Sequence, residues 1–310
     1  MQELPKTQHF LVFQEVVRCG SIRAASRSLG VTQPAITKTI HDIENYFDTE
    51  LLIRDNNGVE LTEAGKLLLS HSRIILKDIS HSVAEMRRLL EHVSPEIAFG
   101  YSSLIGFTIL PEITKSFLNC YPGAKISIQE GQLSTILPAL REGHIDFAIG
   151  TVTPDMPDMP IQNMIIHPLF DAEFSFVADK MHPLAQCETL QSLTHARWVL
   201  PQTDMGYYQA LFELFEHNIV NTDRVVRTDS VITIYNLVEH ADFISVLAKA
   251  MSTPFNNENF IELPIREHLP LARYALVYPK NRRMSCETEA MIKLIKEHPY
   301  HLYRGFNPVI

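Results

Sequence analysis

The chain carries four cysteines in 310 residues, Cys19, Cys120, Cys187 and Cys286, and no two stand close together. That spacing argues against a zinc knuckle or a disulfide framework and fits a reducing cytoplasm. No apolar run approaches the ~18 residues a membrane helix needs, so nothing is expected to span a bilayer. The opening residues Met1-Gln2-Glu3-Leu4-Pro5-Lys6 lack the apolar core of an export signal. No glycine-rich dinucleotide or phosphate loop is present, and Gly100-Tyr101-Ser102-Ser103-Leu104 lacks the second glycine of a hydrolase nucleophile elbow. The fourteen histidines are scattered. These lacks leave no expectation of catalysis, of a cofactor or of a bound metal.

Acid is also missing locally. The net charge is −9, yet residues 1–90 balance at eleven cations and eleven acids, so the whole deficit lies beyond them. Between Val16 and His41 stand Arg18, Arg23, Arg27 and Lys38 with no acid at all. An acidic remainder does not lie on nucleic acid, but a local basic face can.

That basic stretch has a defined shape. Ser21 is placed to cap a helix whose apolar face is Ile22, Ala25 and Leu29, and Gly30 suits the left-handed turn that ends it. Thr32 is placed to cap the next helix, and Pro34 sits in its first turn, where no donor is lost. Two short helices joined by a tight turn form a helix-turn-helix, whose second helix enters the DNA major groove. A helical hairpin with a solvated face is the plainer alternative. A preceding helix is expected over 7–18, with Phe10, Leu11, Phe13, Val16 and Val17 on or near one face. The second helix should run over 33–47, burying Ile36, Ile40, Ile43 and Phe47. The candidate DNA contacts are Arg23, Thr32, Gln33, Pro34, Ala35, Thr37, Lys38 and His41.

Two β-like runs, 51–54 and 59–62, flank Asp55-Asn56-Asn57-Gly58, a hairpin signal that supplies a wing. Arg54 beside it is either a phosphate or groove contact or a surface ion pair. A helix of about 45 Å should follow from Thr62 to near Glu91. Its stripe of Leu68, Ile75, Ile79, Val83, Met86 and Leu90 suits a second copy of itself, or packing on its own domain. Pro95 then marks a boundary.

Beyond it the texture alternates. Strands are expected at 97–101, 125–129, 145–150, 174–178, 198–200, 225–228, 243–247 and 274–278, and helices at 105–118 and 133–142. This is an α/β pattern with largely parallel sheets, which bind ligands beyond the carboxyl ends of their strands.

Taken together, Ala24-Ala25, Leu29, Thr32-Gln33-Pro34-Ala35-Ile36, Ile43-Glu44, Leu51-Leu52, Arg54, Leu61-Thr62-Glu63-Ala64-Gly65 and the element at 140–150 resemble the LysR-type transcriptional regulators. The resemblance spans essentially the whole chain. Stretches 4–9, 103–108, 198–203, 205–208, 228–231 and 233–238 narrow it to the branch that activates an anaerobic threonine/serine degradation operon. It implies an all-α winged helix-turn-helix domain at 1–61 and a dimerising linker helix at 62–92. An α/β effector domain follows at 93–310, built of two Rossmann-like subdomains in the manner of periplasmic binding proteins. Subdomain I would comprise 96–168 and 270–310, and subdomain II 169–269. It further implies cytoplasmic dimers and tetramers on operator DNA, contact with RNA polymerase in an activator, and control of a catabolic operon by a small metabolite. One departure stands at Glu239-His240-Ala241-Asp242-Phe243, where many members place a glycine-rich turn.

The effector candidates are polar groups at strand ends: Ser102 and Ser103 after the first strand, and Gln132 after the second. Thr151 follows the third, at an expected crossover between subdomains, while Gln202, Thr203 and Tyr207 lie on the facing side. Tyr207, Thr228 and Tyr235 also read as wall or core. Ser102, Ser103 and Thr203 correspond to positions that hold effectors in the family. No arginine falls on these loops, so hydroxyls and helix amides would hold a short carboxylate: a keto acid, a hydroxy acid or a dicarboxylate such as itaconate. A DNA-binding regulator without a ligand, set by its own abundance, is the alternative.

Overall fold

A computed structural model describes residues 4–55, 58–91, 94–152, 163–202, 207–217, 225–252 and 259–308. The chain divides into two compact units, Met1–Val93 with Arg141–His144, and Ser94–Leu140 with Ile145–Ile310.

The first unit opens with α1 (Thr7–Cys19), α2 (Ile22–Leu29) and α3 (Gln33–Phe47). Local chemistry sets their ends. Gly20 and Gly30 take φ of 65° and 66° to close α1 and α2, and the Ser21 hydroxyl accepts the Ala24 N–H to start α2. Pro34 lies in the first turn of α3 as expected, but the Thr32 side chain caps nothing. Thr32 acts through its backbone instead, its carbonyl accepting the Ile36 N–H at 3.2 Å. Phe10, Val12, Phe13, Val16, Ala25, Ile36, Ile40, Ile43, Leu51 and Leu52 form the core. Leu11, Leu29 and Phe47 are exposed rather than buried. Phe47 fails to reach the core because α3 ends on it, with Asp48 turning left-handed at φ 50°, and its ring packs edge-on against Tyr46.

The hairpin forms β1 (Leu52–Asp55) and β2 (Gly58–Leu61), paired antiparallel. Gly58 sits at φ 140°, and a Cβ there would lie 2.7 Å from the Gly20 carbonyl oxygen. Glu44 of α3 anchors the start of the wing, its Oε1 accepting the amides of Leu51 at 3.0 Å and Leu52 at 3.3 Å. The long helix α4 (Glu63–Glu91) begins at Thr62, whose hydroxyl accepts the Gly65 N–H. Gly65 packs so close to this junction that a Cβ would meet the Leu51 oxygen at 2.1 Å. Gln14 of α1 donates to Ser72 of α4 at 3.1 Å. Farther along α4 the expected stripe is bare: Ile75, Ile79, Val83 and Met86 are between 39 and 59 % exposed.

The second unit holds two mixed sheets. The first has strand order β13-β6-β12-β5-β3-β4 and comprises β3 (Glu96–Tyr101), β4 (Lys125–Glu130), β5 (Phe147–Val152), β6 (Met164–Ala172), β12 (Ala272–Pro279) and β13 (Phe306–Pro308). The second, ordered β11-β7-β10-β8-β9, comprises β7 (Phe174–Asp179), β8 (Arg197–Leu200), β9 (Val225–Arg227), β10 (Phe243–Ala248) and β11 (Phe260–Glu262). Helices α5 (Ser103–Phe107), α6 (Leu110–Cys120), α7 (Leu133–Arg141), α8 (Tyr207–His217), α9 (Val231–His240) and α10 (Cys286–Lys296) complete it.

Four expectations need correction. The sheets are not largely parallel: only β3 with β4 and β5, and β8 with β9 and β10, pair that way. β6, β7 and β12, which carry the chain from sheet to sheet, all pair antiparallel with their neighbours. The single helix over 105–118 is broken at Thr108 and Ile109, because the Pro111 ring would clash with the carbonyl four residues earlier. Sheet one also extends past 168. β6 pairs with β12 and β13 through Ala172, so the chain changes sheets at Glu173, not earlier. Thr151, expected at a crossover, stays inside β5 opposite Tyr274.

Trp198, Phe176 and Phe215 fill the core of the second sheet, while Phe170 stacks on Tyr274 and Phe306 in the first. At the unusual loop after α9, Asp242 adopts φ 53°, the conformation a glycine there would take freely.

Candidate functional site

The helix-turn-helix presents a set of polar groups from one short stretch. Gln33, Pro34, Ala35, Lys38 and His41 are exposed on α3, Thr37 is half-buried, and Arg23 and Arg27 are exposed on α2. Thr32 is exposed at the turn between them. Arg18 contributes less than its charge promised, because its guanidinium forks onto Glu15. That pairing, with the Ser28 hydroxyl beside it, holds the Glu15 carboxyl down to about 2. Arg54 lies in β1 at the wing, and its side chain falls outside the described residues. The geometry offers cations and small donors on a convex face, which suits phosphate and base-edge contacts.

The second candidate is a cleft in the second unit, where β3, β5 and β12 of the first sheet face α8, α9 and β10 of the second. Ser102, Ser103, Gln132, Thr151 and Tyr207 all line it. Gln202 is absent from the lining; its backbone N–H donates to Asp229 Oδ1 at 2.9 Å. Thr203 lies outside the described residues. Thr228 and Tyr235 are not in the lining either, the Tyr235 hydroxyl donating to the Met251 carbonyl at 2.6 Å.

Each strand end positions its group through the backbone. The Ser102 N–H bonds the Ile149 carbonyl at 2.9 Å, turning the chain out of β3 across the end of β5. Gly131, whose N–H bonds the Tyr101 carbonyl, turns Gln132 in beside it. Ser103 Oγ donates to Glu130 at 2.5 Å. Phe174 stacks on Tyr207 with centroids 4.2 Å apart, which sets the Tyr207 ring against the crossover. Burial pushes the phenols of Tyr207, Tyr208 and Tyr274 well above their ordinary value, so all three stay neutral. The Ser102 hydroxyl, beside Tyr274, eases that shift slightly without meeting hydrogen-bond geometry. Ser102 Oγ and Tyr207 OH are buried and have no hydrogen-bond partner among the described residues.

Sequence reasoning missed several walls of this cleft, among them Tyr208, Tyr274, Met251 and Asp229. Asp229 was findable. It follows β9 and precedes the Ser230 cap of α9, the same strand-end position that singled out the other candidates.

A winged helix-turn-helix, a long helix and a two-sheet unit with a cleft between the sheets make up the architecture of a DNA-binding transcriptional regulator. Residues 7–66 match the bacterial regulatory helix-turn-helix protein family of LysR type, and residues 91–299 match the LysR substrate binding domain. The chain belongs to the LysR family. The HTH-type transcriptional regulator TdcA of Escherichia coli is 46 % identical over 302 residues, covering 97 % of this chain and 95 % of its own. Among solved structures, full-length OxyR from Pseudomonas aeruginosa superposes with a TM-score of 0.69 at 16 % identity, covering 99 % of each chain. CbnR in complex with its target DNA superposes at 0.64 and 19 % identity, covering 94 % of this chain and 98 % of that one. These two share the fold. The sequence relatives are transcriptional regulators rather than enzymes.

Proposed function

We propose that this regulator controls a catabolic operon in response to a short carboxylate held between the two sheets of its second unit. The observation that carries the reading is the pair of buried hydroxyls, Ser102 and Tyr207, that line the cleft with no hydrogen-bond partner among the described residues. A buried donor without an acceptor costs about 1–3 kcal/mol, and a ligand oxygen removes that cost. Ser103, Gln132 and Thr151 add polar groups, with Gln202 and Thr203 on the adjoining loop as further candidates. Keto acids, hydroxy acids and dicarboxylates such as itaconate all fit this general chemistry.

The DNA contacts are assigned to Arg23, Thr32, Gln33, Pro34, Ala35, Thr37, Lys38, His41 and Arg54. The bare stripe on α4 is assigned to a second copy of the chain, and pairs of dimers to a tetramer in the cytoplasm. As an activator, the assembly would touch RNA polymerase. A ligand that binds one arrangement of the two sheets better than another shifts the spacing of the paired recognition helices.

A thermal-shift screen of the full-length protein against two- to six-carbon acids and sugars tests the reading. A ligand at 100 times its Kd stabilises by about 2.7 kcal/mol, so one acid should raise Tm clearly while the sugars do not. No shift with any acid removes the carboxylate reading and leaves a regulator set by its own abundance.

A further inference from the structure

Asp229 gives the cleft a charge that carboxylate binding alone does not explain. Among the described residues lining the cleft it is the one charged side chain, and it is exposed. Among the described residues one hydrogen bond reaches it, Oδ1 accepting the Gln202 N–H at 2.9 Å, which leaves Oδ2 without one. A second acid stands next to the lining: Glu130 takes the proton of the Ser103 hydroxyl, so Ser103 can offer a ligand only a lone pair. Asp229 and Ser103 are therefore acceptors, while Ser102, Tyr207 and the Gln132 amide can donate. A bare anion meets two carboxylates and, among the described lining residues, no cation, so it is held less well than a ligand that also carries a positive charge. A ligand with no donor for Asp229 leaves its Oδ2 unpaired.

We propose that the ligand is an α-amino acid, its ammonium group bound by the Asp229 carboxylate and the Ser103 oxygen, its carboxylate by the Ser102 and Tyr207 hydroxyls. This inference rests on the carboxylate reading above and narrows it to ligands carrying a positive charge as well. An ammonium group brings three donors on one point, which matches the acceptors available. The apolar walls of Phe174, Val231, Ile234 and Met251 suit a short aliphatic side chain.

The test is calorimetric titration of the full-length protein with matched sets: alanine, lactate and pyruvate, then 2-aminobutyrate, 2-hydroxybutyrate and 2-oxobutyrate. The amino acid of at least one set should bind about tenfold or more tightly than its hydroxy and keto partners, the effect of one charge-assisted hydrogen bond. Asp229→Asn keeps an oxygen for the Gln202 N–H, so the fold stands, and it should erase that preference. Hydroxy or keto acids binding as well as the amino acid, or an unchanged preference in Asp229→Asn, overturns the amino-acid assignment while the carboxylate reading survives. Binding by no member of either set overturns the amino-acid assignment, and the two- to six-carbon acid screen above then decides the carboxylate reading.

Discussion

In the N-terminal unit the exposed groups Arg23, Lys38 and His41 stand on two helices whose ends are set by Ser21, Gly30 and Pro34, their neighbours in sequence. In the second unit Ser102, Thr151, Tyr207, Asp229 and Tyr274 come from distant stretches and meet only because two sheets face each other. One surface is convex and charged; the other is concave, with hydroxyls kept dry. The difference has a physical origin. A DNA duplex is a large polyanion met from outside, so the reading surface needs exposed cations on a stiff scaffold. A small ligand must be taken out of water, so its partners need enclosure, which no single helix can supply.

The comparison is broken most strongly by alkali. Folding holds the phenols of Tyr207, Tyr208, Tyr235, Tyr274 and Tyr300 above their ordinary value of 10 through burial. Their contribution is complete below pH 10 and is lost as pH rises past it, because the unfolded chain then ionises and the folded one resists. All five lie in the second unit. Near-ultraviolet circular dichroism during a pH titration should show that unit unfolding before α1–α3 melt; simultaneous loss would deny the division.

Core substitutions come next. Trp198→Ala removes a fully buried indole packed on Phe176 and Phe215, and should cost about 3–5 kcal/mol. Ligand binding would fall with it, while operator binding by the N-terminal unit, read by gel shift at low temperature, should persist. Gly65→Ala is its mirror. A Cβ at 2.1 Å from the Leu51 oxygen forces α4 away from the wing, at about 1–3 kcal/mol, with operator affinity lost and calorimetric ligand affinity kept.

Smaller changes sharpen the two surfaces separately. Ser102→Ala deletes an unpartnered hydroxyl, so Tm should hold or rise slightly while ligand affinity drops about five- to tenfold, roughly one hydrogen bond. A fall in Tm without loss of affinity would make Ser102 structural. Lys38→Ala should weaken operator binding uniformly across sequences and lower the slope of log K against log salt by about one. A changed sequence preference would instead make Lys38 a base reader.

The two surfaces also differ in how legible they were. The helix-turn-helix, the wing and the length of α4 follow from capping groups, glycines and apolar spacing, all acting within about four residues. Even there, the exposure of Phe47 and the pairing of Arg18 with Glu15 depended on where α3 stopped and which rotamer met which neighbour. In the second unit the buried strands β5, β7, β8, β10 and β12 were visible as apolar runs, but β6, β11 and β13 were not. Each is short or interrupted, β6 by His167 and Pro168 after Met164-Ile165-Ile166, and a partner edge bonds all three into their sheets.

By itself, then, the sequence determined the local backbone of this regulator: where α1, α2 and α3 begin and end, where the wing turns, and that alternating strands and helices follow Pro95. Only the tertiary structure decided that the sheets are mixed, that Thr151 stays in β5, and that Asp229 shares a cleft with Ser102. Backbone preference and capping are short-range terms written in adjacent residues. Strand order and cleft lining are set by register between segments tens to more than a hundred residues apart, where the gain is burial shared by the whole core.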